Sequence, residues 1–472
     1  MGRLKTAGTA VFLAIGGFLF GYDSGIISSS IAQPHFIEYM NDPSSAARGG
    51  IVSSFTGGAI LGALSVSLLA DKYGRKMTVF IGAIISILGS ALQGGAVNVA
   101  MVIAGRLIAG FSVGLLSAVV PMFCSEIATA EDRGKLSGLL QFMLSWGFFV
   151  AQWLGYDGCF QVDSPFQWRF PLAFQAVPGI IIATGIWFLY ESPRWLVERE
   201  QFEDAKLVLH KLHGTGLSQG FLDLEFREIV DTITAEKQFA PAWRKRLILG
   251  MGIQAFGQLS GNNVINYYGP QIHEILGIET GTSLQIIGIS GSLSIVYCVI
   301  GLYLGKVGRI KPLIYSSIGM SAALLVNSIL SRFFVLADNP SPNDNALRAM
   351  VAMNFVFSLF HDRHHFLGIF PAEIRARGNS LSTVTNWSLN LVFAQCAPIA
   401  LEDLEFGFFY FFFAWNLIAA VCYFFFFPET NGQTLEQMDQ LFGGHIAVPI
   451  AKQDLEHGKT VQTVVVWGEE QS

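Results

Sequence analysis

Two charged residues stand where an apolar chain should carry none. Asp23 closes the first hydrophobic run, in Gly21-Tyr22-Asp23-Ser24-Gly25, and Arg106 opens the fourth, just after Gly105. A guanidinium inside a membrane segment is costly unless it is paired or hydrated, so Arg106 calls for a carboxylate. The first run leads away from the side of the N-terminus and the fourth leads back, which puts Asp23 and Arg106 at equal depth. They can pair. The pair is either a fixed structural bridge or a titrating site, and intramembrane ionisable groups are functional by default.

A second group lies in Gly257-Gln258-Leu-Ser260-Gly261-Asn262-Asn263-Val-Ile-Asn266-Tyr267-Tyr268. Amides and phenols crowd one membrane helix. Gln258 and Asn262 share a face at a spacing of four. Gly257 and Gly261 permit local unwinding, which brings Asn263 to the same side. An amide donates and accepts at once, which suits a ligand rich in hydroxyls such as a sugar. Interhelical hydrogen bonding is the plainer use of such groups, and the density here exceeds what it needs. Gln141 in span 5 and Asn386, Trp387 and Asn390 in span 11 add similar groups, with Trp387 suited to stacking on a pyranose ring or to packing.

The third group is charged and lies at membrane edges. Asp71-Lys-Tyr-Gly-Arg75-Lys76 is a tight turn with both signs of charge. With Glu126, Arg133, Glu191 and Arg194 it can form an ion-pair cluster that latches two helix bundles when one side is closed. Simple interfacial anchoring explains the basic residues but not the interleaved acids.

These residues need elements to hold them. Of the 472 residues, 14% are charged, against about a quarter in a soluble protein. Apolar runs long enough to span a bilayer recur. Twelve are expected, near 7–30, 50–70, 79–97, 101–124, 137–156 and 171–190, then 247–269, 282–304, 312–334, 349–370, 380–401 and 407–427. The loops on the side of the termini carry most of the Lys and Arg, which puts both termini in the cytosol. The chain divides into a six-helix bundle at 1–190, a linker with short helices at 191–246, a second six-helix bundle at 247–430 and a polar tail at 431–472. The halves echo each other. Glu126 and Arg133 follow span 4 as Glu373 and Arg377 follow span 10; Glu191-Ser-Pro-Arg194 ends span 6 as Pro428-Glu429-Thr430 ends span 12. Paired repeats of this kind mark transporters.

Other chemistries are excluded. No hydrolase or kinase motif stands, and glycine-rich runs lack the Gly-Lys-Ser/Thr of a phosphate loop. No basic recognition patch for nucleic acid appears. Four of the five cysteines sit in apolar segments, so no disulfide framework is implied. His361 and His365 are one helical turn apart, but no second ligand-rich segment accompanies them, and neither a metal nor a cofactor is expected. Those histidines, with Asp362 and Arg363, are expensive inside span 10, so if the chain is real as written this span is expected to be distorted or hydrated near them.

Together the motifs resemble the sugar porter family of the major facilitator superfamily, most like its fungal members. The matching residues are Gly21-Tyr22-Asp23, Asp71 with Gly74-Arg75-Lys76, Gly105-Arg106, Ser125-Glu126 with Arg133-Gly134, Glu191-Ser-Pro-Arg194, Gln258-Leu-Ser-Gly and Pro428-Glu429-Thr430, over about residues 8–440. The resemblance implies an all-α membrane protein with the major facilitator fold and a multi-pass place in the plasma membrane. It implies a sugar site from Gln141, Gln258, Asn263, Asn386 and Trp387, and proton coupling where Asp23 pairs with Arg106. Departures include Phe123, Thr129, Tyr190, Gly257 and Gly305, and the loss of the aromatic lining and Trp of span 10. The expectation is a secondary active transporter, not an enzyme, that moves a monosaccharide by alternating access with proton symport. A facilitator, a sugar sensor and the inactive product of a misread gene are the alternatives.

Overall fold

The computed structural model describes residues 2–127, 133–160, 164–213, 243–304, 310–334, 343–367 and 376–427, with Glu429 and short pieces between 222 and 233. At 2–7, 133–137, 213, 243–246, 301–304, 344, 362–367, 376–380 and 405–406 only the backbone is described. All regular structure among these residues is helical.

The first half holds α1 (Gly2–Ile31), α2 (Pro34–Tyr39), α3 (Ser45–Tyr73), α4 (Arg75–Gly94), α5 (Val99–Ile127), α6 (Arg133–Gly158), α7 (Phe166–Phe174) and α8 (Ala176–Gly185). Two short helices follow in the linker, α9 (Pro193–Glu198) and α10 (Phe202–His213). The second half holds α11 (Trp243–Leu259), α12 (Asn262–Ile275), α13 (Thr280–Leu304), α14 (Ile310–Phe334), α15 (Asp344–Leu367), α16 (Ala376–Leu404) and α17 (Phe409–Phe426). With α7 and α8 as one rod and α11 and α12 as another, twelve membrane helices form two sets of six, as expected.

Among the described residues, eight of these rods are long and apolar enough to cross a membrane by length and composition alone. The other four are α6, α11–α12, α15 and α16. They include the helices that carry Gln141, Gln258, Asn263, Asn386 and Asn390.

Small residues set the packing. The face of α5 that carries Arg106 also carries Gly110 and Gly114, and α3 lies directly on it: a Cβ at Gly110 would be 2.0 Å from the Phe55 carbonyl oxygen. The stripe Gly17, Gly21 and Gly25 of α1 likewise seats α6. Both stripes were readable as close-approach faces.

The halves meet along two seams. In one, α3 packs on α16: the Ser53 hydroxyl donates to Gln395 Oε1 at 2.7 Å, Gly49 lies against Pro398, and Ser45 bonds Glu402. In the other, the Trp153 indole of α6 donates to Ser292 of α13 at 3.0 Å and rests on Gly288. Away from the linker the two halves share one apolar core, in which Tyr22, Ile26 and Trp168 join Tyr267, Tyr268 and Phe412. At the linker end the cores are nearly separate. One is built from the first half and the linker, with Trp387 as the buried second-half member. The other comes from the second half alone, around Leu313 and Tyr423.

Helix α15 runs without a break to Leu367, so the His361–His365 segment does not interrupt the backbone. His361 is buried and stacks on Phe357 at 6.2 Å. The expected distortion is absent up to that point. Residues 368–375, including Glu373, lie outside the described residues, as do Gly305 and the tail from Asn431.

Candidate functional site

Asp23 and Arg106 are neighbours, but not as an ion pair. Both are fully buried. Arg106 Nη1 donates to the backbone carbonyl of Asp23 at 3.1 Å, and its guanidinium lies over the Phe55 ring at 4.2 Å. Among the described residues, neither carboxyl oxygen of Asp23 has a hydrogen-bond partner, nor do Arg106 Nε and Nη2. The expected pairing is thus corrected: depth brought the residues together, but the guanidinium is held by a carbonyl and an aromatic face. Tyr22, the next residue, is tied to the other side of the bundle by a 2.9 Å bond from its hydroxyl to the Pro171 carbonyl.

The amide group is organised by a break. α11 ends at Leu259 and α12 begins at Asn262, with Gly261 between them at φ +91°. That conformation favours glycine, and a Cβ there would also meet Phe412 at 2.8 Å. The break frees carbonyls that need partners. Ser260 Oγ donates to the Gly257 carbonyl at 2.7 Å, and Asn416 Nδ2 donates to that of Ser260 at 3.1 Å. As a result Gln258 and Asn263, on opposite sides of the break, hydrogen-bond to each other. The unwinding read from the glycines occurs at Gly261, and it recruits Asn263 as expected.

The other candidates are placed as follows. Asn386 Nδ2 donates to Gln254 Oε1 at 2.6 Å. Asn390 Nδ2 donates to the Tyr267 hydroxyl at 3.3 Å. Asn262 and Gln141 are half-buried, and the Gln141 carbonyl accepts from Ser145. The Tyr268 hydroxyl donates to the Ala394 carbonyl and so is already committed. Trp387 is buried against Phe20 at 5.5 Å and Phe55 at 6.0 Å, so it packs rather than offering an open stacking face. Gln254 and Asn416 were missed. Gln254 carried a signal, since it precedes Gln258 by four positions and shares its face.

The charged cluster forms, within the first half and its linker. Arg75 binds Glu126 through Nε and Nη2 at 2.9 and 2.8 Å, and Glu198 lies 3.5 Å away. Arg194 reaches Glu198 at 3.9 Å. Glu198, a linker residue, was not foreseen. Asp71 joins through its backbone carbonyl, which accepts from Trp195 and Arg199. The side chains of Arg133 and Arg377 lie outside the described residues.

Glu191 has a separate task. Its carboxylate accepts from the backbone N–H groups of Arg75, Lys76 and Ser192, at 2.9 to 3.3 Å, and so closes the N-terminus of α4. An anion is stabilised there by free N–H groups and the helix dipole. Gly74 makes room for it, with φ +90° and a Cβ position only 2.4 Å from Glu191 Oε2. Burial raises the Glu191 carboxyl above its ordinary value, against the pull of these N–H groups and Arg75. In the second half Glu429 accepts from the N–H of Ile310, the first residue of α14, at 3.1 Å. The echo between Glu191 and Glu429 is therefore a shared structural role.

Two six-helix halves joined along paired seams, with one broken amide-bearing helix and a buried charged site, define a polytopic transporter of the major facilitator kind. The family model for sugar (and other) transporters matches residues 9–442. The chain belongs to that family and is a multi-pass membrane sugar transporter rather than an enzyme. It is 36% identical over 464 residues to the MFS-type transporter criB of Aspergillus cristatus, covering 94% of this chain and 95% of that protein. It is 33% identical to a high-affinity glucose transporter of Kluyveromyces lactis, covering 92% and 84%. Among solved structures it resembles the proton:xylose symporter XylE bound to 6-bromo-6-deoxy-D-glucose, with a TM-score of 0.79, 23% identity and coverage of 94% and 100%.

Proposed function

We propose that the protein moves a monosaccharide across the plasma membrane by alternating access, in symport with protons. The observation that carries this reading is the break at Gly261, which joins Gln258 to Asn263 in the middle of a membrane helix. A broken helix with convergent amides is how transporters of this class build a midplane site. The sugar takes its hydrogen bonds from Gln258, Asn263, Asn262 and Gln141, with Asn386 entering once it leaves Gln254. Asp23 takes the proton and Arg106 responds to its charge. The relatives' names, which include glucose and xylose, favour a monosaccharide.

The core shared by both halves away from the linker closes that side. The separate cores at the linker end leave the other side free to part. With the termini and linker in the cytosol, this is the inward-facing arrangement. Asp71, Arg75, Glu126, Arg133, Glu191 and Arg194 are the first half's part of a cytosolic gate. Glu373, Arg377 and Glu429 are the second half's part of the same cytosolic gate.

The test is uptake of radiolabelled D-glucose and D-xylose in a transport-null cell at two pH values, with and without a protonophore. Accumulation that the protonophore abolishes supports symport. Uptake that equilibrates and ignores the protonophore would show a facilitator. Asp23→Asn should lose accumulation while retaining exchange. Gln258→Ala with Asn263→Ala should raise KM or abolish uptake with surface expression intact; unchanged uptake by that double variant would remove the site.

A further inference from the structure

We propose that Phe55 is the positioning residue through which the Asp23–Arg106 site and the sugar site act on each other; the inference rests on the symport reading above. One aromatic ring touches both Arg106 and the tryptophan next to Asn386. The Arg106 guanidinium lies 4.2 Å from its centroid, and the Trp387 ring meets it at 6.0 Å in an edge-to-face arrangement of 79°. Trp387 follows Asn386, whose amide holds Gln254 of the broken helix. A chain of contacts thus leads from the Asp23 carbonyl through Arg106, Phe55 and Trp387 to the amides, crossing from α1 and α5 through α3 to α16.

The ring is buried, and its backbone is seated directly on α5. α5 approaches so closely that a Cβ on Gly110 would lie 2.0 Å from the Phe55 carbonyl oxygen. Phe55 is thus held in register with Arg106 of α5, and a shift of the guanidinium on its ring is felt where Trp387 meets the same ring.

The guanidinium has two competing seats. One is the face of Phe55, where it lies. The other is the Asp23 carboxylate, whose oxygens have no hydrogen-bond partner among the described residues. An ionised Asp23 draws the guanidinium off the ring, because a buried charge-assisted pair outweighs a contact with a ring face. A protonated Asp23 lets it return. Each move loads or unloads the face that Trp387 also contacts. Linkage makes this reciprocal: whatever factor protonation applies to sugar affinity, sugar applies to proton affinity. Among the described residues, the titratable or charged groups facing this site are Asp23 and Tyr22 from α1, Arg106 from α5 and Tyr267 from α12. Both phenol hydroxyls are hydrogen-bonded, to Pro171 and Asn390, and phenols stay neutral near pH 7.

The experiment compares wild type, Phe55→Leu, Phe55→Met and Phe55→Tyr in reconstituted liposomes, reading the half-saturation of D-glucose or D-xylose counterflow at pH 5.5 and 7.5 and the proton uptake that sugar triggers. A cation–ring contact is worth roughly a two- to thirtyfold factor. The two aliphatic variants should retain measurable counterflow but bring the ratio of half-saturations between the two pH values toward one by that factor. Sugar-triggered proton uptake should fall with it, and Phe55→Tyr should keep both. A wild-type ratio in whichever of Leu and Met reaches the membrane would overturn the role of Phe55. A wild type with no pH dependence and no proton uptake would overturn the symport reading, and this inference with it.

Discussion

Gly57 and Gly58 are adjacent on α3, yet they should respond oppositely to the same substitution. A methyl group at Gly58 would stand 2.0 Å from the Leu107 carbonyl oxygen and 2.9 Å from the Phe111 nitrogen. At Gly57 the nearest atom is Leu391 Cδ1, at 3.9 Å. Ordinary contact begins near 3.4 Å, so Gly58→Ala leaves about 1.4 Å to be found between α3 and α5. The atoms met are backbone on both sides, so no side chain can swing away. Overpacking of this kind costs about 1–3 kcal/mol, offset by at most about 1 kcal/mol from the better helix propensity of Ala. Gly57→Ala receives only the favourable part.

Membrane proteins of this size unfold irreversibly, so the measure is a half-life. In detergent at one fixed temperature, the folded fraction of Gly58→Ala on size exclusion should decay at least roughly fivefold faster than that of Gly57→Ala. Gly57→Ala should match or outlast wild type. Phe55 lies one helical turn before Gly58, so the same separation should also loosen its contact with Arg106 and reduce transport. Equal half-lives for the two variants would refute the claim that α3 and α5 touch backbone to backbone.

The linker-end cluster yields two further predictions. Arg75→Ala strands Glu126, whose side chain is 8% exposed, and should cost about 3–5 kcal/mol, read as a collapse of the same half-life; Lys206→Ala, which breaks an exposed pair with Glu203, should stay within about 0.5 kcal/mol of wild type. Burial raises Glu191 and Glu198 above the ordinary glutamate value of 4.5, so the folded protein holds more protons than the unfolded chain just above that value and its stability falls as pH rises through the interval. Glu191→Gln should flatten that fall in a thermal-unfolding series from pH 4.5 to 7, and an unchanged slope would count against the assignment.

What could be read from the chain follows from what a membrane demands of it. Bilayer thickness sets the length of an apolar run, so the spans and their order were legible. Glycines spaced by four mark a face that another helix can approach, and Gly21 on α1 and Gly110 on α5 do this. The unwinding at Gly261 was legible because glycine amid amides has few other uses. The shared role of Glu191 and Glu429 was visible as an echo, although the N–H groups they bind were not.

The misreadings share a cause. Sequence places a residue at a depth and on a face of its own helix, but it does not say how far a neighbouring helix is rotated about its axis. Asp23 and Arg106 were correctly put at one depth. Whether the guanidinium points at the carboxylate or at Phe55 depends on the rotation of α1 against α3 and α5, which is set by the seats of Gly21 on α6 and Gly110 on α3. Trp387 suffered the same ambiguity: from α16 it can face a path or a neighbour, and the approach of α3 along the seam at Gly49 and Ser53 decides for the neighbour. Phe55 had no signal of its own, being one apolar residue in an apolar span. Its place between a charge and an indole exists only once three helices are assembled, so a residue that joins two sites is harder to read from sequence than the sites it joins.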